Sequence, residues 1–285
     1  MSVISIRMFA RNNREFKKIL GVALGGGRGK NTIVSCIDLT REKPTVVMTG
    51  PRDEMSRPWY DDVLVSYAME APEETLLAID APLTIPGCVR CIKKRCSGLQ
   101  DCPLESVQWF LNDPGLKEKS TGGKDGTKPG FSPYTQRVCE KYLENEYGIE
   151  LRETLGHSMG PLTARAQHLT KRLADGYTLN DNLLEVSPYA TVILAFGKNM
   201  ALNYKRGPAV WETRALILEE CGRWIDFAVW RESVLQSRRR FKSVICGFTA
   251  FLWLQQEWVL PEGMSEIAAE DGWIWVPTND LLNRA

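Results

Sequence analysis

Apolar runs and their spacing divide the chain into recognisable elements. Residues 18–24 (KILGVAL) form a short apolar run that ends in the glycine-rich stretch GGGRGKN. Residues 32–39 (TIVSCIDL) and 45–49 (TVVMT) are β-branched and apolar, as buried strands require. Only short turns separate these runs, so they are expected to pair as an antiparallel meander. Between 59 and 69, apolar residues recur at 59, 60, 63, 64, 67 and 68, which predicts an amphipathic helix. Residues 76–79 (LLAI) predict a fourth strand that runs into Asp80 and is stopped by Pro82.

Beyond this point the pattern breaks. Residues 84–135 predict irregular structure: a cysteine cluster first, then a Gly/Lys/Ser-rich stretch at 112–132 with almost no apolar residue. That second stretch cannot bury enough apolar surface to offset ordering and is expected to be a mobile loop. Helical patterning returns at 136–147 and 161–173, and 182–186 (NLLEV) predicts a fifth strand ending in an acid. Pro188 suits the first position of the helix that follows. The remainder predicts helix to about residue 256, then two tryptophan-bearing segments, 258–260 and 273–276, expected to pair as strands. The order β-β-β-α-β-α-β-α predicts an α/β fold with a mixed central sheet flanked by helices. Residues 1–18 read as an N-terminal extension and 19–285 as a single domain, with a cysteine-rich insert at 84–104 and the mobile loop at 112–132.

Composition adds limits. The chain has 285 residues, 44% hydrophobic and 25% charged, ordinary values for a globular protein with a sizeable core. Net charge is +1, so no global field draws nucleic acid or an anionic membrane, and such binding would rest on local basic patches. No stretch approaches the roughly 20 apolar residues of a membrane span. Residues 1–18 hold Arg7, Arg11, Arg14, Lys17 and Lys18 against Glu15, which suits either an organelle-targeting segment or a plain lead into the first strand. Without a secretory apolar core, the expected location is cytoplasmic.

Four of the eight cysteines, Cys88, Cys91, Cys96 and Cys102, follow the pattern C-x2-C-x4-C-x5-C. Four thiolates can complete a tetrahedral shell around structural zinc, and CVRC supplies the tight knuckle such sites use. An iron–sulfur cluster and free surface thiols are the alternatives. Lys93, Lys94 and Arg95 inside the cluster favour the thiolate form. All four positions would be filled by protein, which leaves no open position for zinc catalysis. The stretch GGGRGKNT is not a phosphate-binding P-loop: Leu24 stands where the first glycine belongs and Asn31 where Ser or Thr belongs. It reads as a hairpin turn, with Arg28 and Lys30 beside glycine amides as the phosphate-binding alternative.

The opening order, AIDAPL at 78–83 and LLEVSP at 183–188 together resemble the family called domain of unknown function 429, predicted nucleases with an RNase H-like fold. Arg137 with Cys139, GPLTARA at 160–166, Tyr204-Lys205 and ICGFTA at 245–250 extend the resemblance over residues 19–277. It implies a catalytic pair, Asp80 and Glu185, holding Mg²⁺ or Mn²⁺ at the ends of the fourth and fifth strands. Such centres use three or four carboxylates and two ions about 4 Å apart to clamp the attacking and leaving oxygens of a phosphodiester. Two acid positions are altered here: Ala23 stands at the end of the first strand and Lys242 on the last helix. The nearest acids, Asp38 and Asp226, are poor substitutes. A lysine ammonium at that place is expected to pair with Asp80 or Glu185.

His157, flanked by glycines, is a candidate cleft residue, and His168 reads as a packing or surface residue. Arg238, Arg239 and Arg240, with Lys93, Lys94 and Arg95, are the candidate nucleic-acid contacts. Most tryptophans sit in apolar contexts and read as core. Two functions follow from these residues: a metal-dependent nuclease with an incomplete acidic centre, or a catalytically inactive scaffold that binds nucleic acid or a protein partner and carries a zinc loop.

Overall fold

The computed structural model describes residues 10–11, 14–26, 29–113, 131–156 and 158–277. Five strands form where the apolar runs predict them: β1 (Lys18–Ala23), β2 (Ile33–Asp38), β3 (Thr45–Gly50), β4 (Thr75–Ile79) and β5 (Leu183–Val186). The two-residue β6 (Ile274–Trp275) completes a mixed six-stranded sheet in the order β3-β2-β1-β4-β5-β6. β1, β2 and β3 form an antiparallel meander with a bulge between Cys36 and Ile37, while β1, β4 and β5 run parallel.

Helices in chain order are α1 (Asp61–Ala68), α2 (Gly87–Arg90), α3 (Glu105–Asn112), α4 (Val138–Tyr147), α5 (Gly160–Leu173) and α6 (Pro188–Phe196). They continue with α7 (Lys198–Asn203), α8 (Val210–Cys221), α9 (Arg231–Gln236), α10 (Arg238–Gln255) and α11 (Ser265–Asp271). Among the described residues, no helix is long and apolar enough to cross a membrane.

The chain resolves into two compact units. The first gathers the described residues up to Ala81, His168–Trp258 and those from Trp275 on, and it holds most of the sheet. Its core is α10 laid on the sheet. Gly21 makes the close approach possible: a Cβ there would lie 2.2 Å from the Ser243 carbonyl oxygen and 2.5 Å from the Gly247 amide nitrogen. From Phe241 to Leu254 every residue of α10 is buried except Lys242. Ser237 starts this helix by accepting a bond from the Arg240 amide at 3.3 Å, and Ser187 does the same for α6 with Ala190.

The second unit comprises Pro82–Gln167 and Val259–Ile274. Phe110, Val138 and Ile267 form its apolar centre, with Trp109, Phe131 and Met264 packed against them. The cysteine-rich insert expected at 84–104 is therefore one part of a larger body.

Several sequence expectations need correction. Residues 105–112 are helical within a stretch expected to be irregular, because Glu270 caps the helix from far along the chain. Residues 258–260 form no strand: the Trp258 carbonyl accepts from the Arg11 guanidinium, and Ile274–Trp275 joins the sheet edge beside β5 instead. Within 1–18, Ala10–Arg11 pairs with Arg14–Glu15 and Phe16 is 2% exposed, so this part of the extension packs on the body. Residues 114–130 of the expected mobile loop, Arg28 and His157 lie outside the described residues.

Candidate functional site

The site builds from the C-terminal ends of β1 and β4 and the first turns of α10. β1 and β4 pair with Gly21 opposite Ala78 and Val22 opposite Ile79. Paired residues share a face and successive residues alternate. Gly21 faces α10, so Ala78 does too, and two residues on so do Ala23 and Asp80. The Asp80 amide donates to the Val22 carbonyl at 2.9 Å, which holds the residue at the strand end.

Lys242 reaches this place from α10, and its ammonium forms an ion pair with the Asp80 carboxylate. The side chains are 29% and 21% exposed. A lone charge in an otherwise buried helical stretch is costly without a partner, and Asp80 supplies one. Burial pushes the Lys242 pKa down, but the charge and hydrogen bond of Asp80 outweigh it and the net direction is up. The ammonium therefore stays charged. Of the two acids that the sequence offers as its partner, the structure selects Asp80.

Glu185 stands differently. It pairs level with Ile79, and its neighbour Leu184 with Ala78. Alternation therefore sends Glu185 to the face away from α10, where it is 3% exposed. The two acids are on adjacent strands, and the register turns them to opposite faces of the sheet. Sequence spacing alone cannot reveal this, because the facing of a strand end follows from register. Among the described residues, no group of three or more His, Cys, Asp or Glu side chains is gathered to hold an ion.

Around the pair lie groups that no simple motif announces. Cys246, one turn along α10 from Lys242, is buried and its thiol contacts the Val22 carbonyl at 3.5 Å. Burial, then the Asp80 charge, pushes this thiol well above its ordinary value, so it is an inert packing group. Tyr204 is buried beside Phe241, and burial and then Asp80 raise its phenol likewise. The adjacent Lys205 places its ammonium 3.2 Å from the centre of the Tyr189 ring. On the far side of the helix contact, the Ser243 hydroxyl meets Ser35 at 2.6 Å, and Ser35 donates to Thr49 at 2.7 Å. The small polar residues of β2 and β3 are thereby satisfied under α10.

Arg238 and Arg239 are exposed at the start of α10, and Arg240 is partly exposed. All three lie in the first turn of α10, where positive charge is opposed by the helix dipole. His168 is exposed on α5. The glycine-rich stretch closes the β1–β2 hairpin: the Gly29 amide bonds to the Gly26 carbonyl at 2.8 Å and the Gly25 amide to the Thr32 hydroxyl at 3.1 Å.

In the second unit, Cys88 is the second residue of α2 and Cys91 follows the helix, and Lys93, Lys94 and Arg95 are exposed between Cys91 and Cys96. The Cys88 thiol is raised by burial and then by the proximity of Cys102, Cys96 and Cys91. No family model, no curated protein and no solved structure matches this chain.

Proposed function

We propose that this chain is a non-cleaving nucleic-acid-binding protein built on an RNase H-like plan, with Lys242 standing where such a nuclease would hold a metal ion. The carrying observation is the Lys242–Asp80 ion pair. A tethered ammonium neutralises the strand-end acid and occupies the space of a divalent cation. Ala23, level with Asp80 on the same face, offers no second carboxylate. Glu185 belongs to the other face of the sheet, so a two-ion displacement lacks its ligands.

The fold plan is supported by the antiparallel β1–β3 meander with parallel β4 and β5 added to β1, and by the motif residues that resemble the predicted-nuclease family. Binding is supported by Arg238, Arg239 and Arg240. Their placement opposes the helix dipole, which fits a role toward an anionic backbone better than a role in stability.

The test is incubation of labelled single- and double-stranded RNA and DNA with Mn²⁺, comparing wild type with Asp80→Asn and with the pair Arg238→Glu, Arg239→Glu. The expected result is no cleavage by wild type, together with salt-sensitive binding that the arginine variant weakens. Cleavage that Asp80→Asn abolishes would overturn the proposal and restore the metal-dependent nuclease.

A further inference from the structure

The loop that carries Cys88, Cys91, Cys96 and Cys102 is closed at its base and bare along its length. At one end, the Gly87 amide donates to Asp271 Oδ1 at 2.7 Å. At the other, the amides of Glu105 and Ser106 donate to Glu270 Oε1 and Oε2 at 3.3 and 3.0 Å. Two adjacent acids at the end of α11 thus hold both feet of the loop. The feet also approach each other directly, since a Cβ at Gly87 would lie 3.1 Å from Asp271 Oδ1 and 3.4 Å from the Ser106 hydroxyl. Cys88 and Cys102 are the first and last thiols above this clamp, and Gln108 fixes the Cys102 carbonyl at 2.6 Å.

Between the feet there is no core. Residues 89–98 are all exposed, with Ile92 at 97%. Ordering such a stretch costs backbone entropy that no apolar burial offsets. The four thiols are not gathered into a ligand shell in this structure, and it is local geometry that prepares the loop for a soft cation. The Cys91 amide bonds to the Cys88 carbonyl at 3.4 Å, which folds C-x2-C into a turn. Gly98, with φ 92°, points its amide at the Cys96 sulfur at 3.4 Å. An amide aimed at sulfur stabilises a thiolate that a metal binds, as hydrogen bonds to ligating sulfurs generally do.

We infer that these four thiols bind one zinc ion, and that metal binding and closure of the loop are one event. Zn²⁺ displaces four thiol protons and takes four sulfurs in a tetrahedral shell. The resulting net charge of −2 on the zinc–thiolate core is balanced in part by Lys93, Lys94 and Arg95. The ion supplies the staple that side-chain packing does not. With every position filled by protein, the site is structural.

The experiment uses the full chain purified without chelator. Metal content and visible absorption are measured for wild type, Cys91→Ser and Cys96→Ser, whose side chains are exposed and whose loss disturbs no packing. Limited proteolysis with and without chelator reads loop closure. The expected result is one zinc per chain in wild type, severalfold less in both variants, and rapid cleavage within 89–101 once zinc is removed. Iron with sulfide and a coloured protein would overturn zinc in favour of a cluster. No bound metal, or a cleavage rate indifferent to chelator, would overturn the site altogether.

Discussion

Lys242, in the first turns of α10, is ion-paired with Asp80, the residue that ends β4. Both side chains are shielded but not sealed from water, so the pair lies between a surface and a buried bridge. A double-mutant cycle with Lys242→Met and Asp80→Asn should return a coupling of about 1–3 kcal/mol in denaturant unfolding. A coupling near zero would reduce the pair to a surface contact. The charge-reversing Lys242→Asp should place two carboxylates face to face and create Mn²⁺ affinity that wild type lacks, measured by calorimetric titration.

The pair also sets a pH signature. A lysine whose folded pKa is raised contributes stability that is fully present below the unfolded value and lost as pH rises through the folded one. The Lys242 shift is upward from 10.5. The stability difference between wild type and Lys242→Met should therefore hold constant from neutral pH to about that value and shrink only above it. A difference that closes near neutral pH would mean that burial had won over Asp80.

Gly21 tests what brings the pair together. Gly21→Ala drives a methyl into the backbone of Ser243 and Gly247, which have no flexible end to yield. The expected cost is about 2–3 kcal/mol in urea unfolding. Because α10 must lift, the Lys242–Asp80 coupling should fall in the same variant.

Arg11 reports on the N-terminal segment. Its guanidinium lies 3.6 Å from the centre of the Trp253 ring and donates to the Trp253 carbonyl at 3.1 Å. Arg11→Ala should lower stability by about 1–2 kcal/mol and alter tryptophan fluorescence. A detachable leader would give no change in either.

Much of this is legible in the sequence. β1 to β5 lie where apolar runs predict them, because buried strands need such runs whatever surrounds them. Lys242 stands out only through the family resemblance, which implies an acid at its place on the last helix. What escaped were contacts between distant residues. Glu270 and Asp271 cap segments far upstream, and nothing local at 105–112 announces that its helix start is secured from α11. The facing of Glu185 depends on the register of β5 against β4, and a slip of one residue would reverse it.

The clamp at the foot of the cysteine loop has a consequence for the chain as it is made. Gly87 and Asp271 are 184 residues apart. At about 5–20 residues per second, the ribosome needs roughly 10–40 s to deliver the second after the first. Through that interval the four thiols are already synthesised while the acids that close their loop are not. A nascent chain therefore carries the four thiols well before the clamp at their feet can form, and a product truncated ahead of Glu270 would lack that clamp altogether.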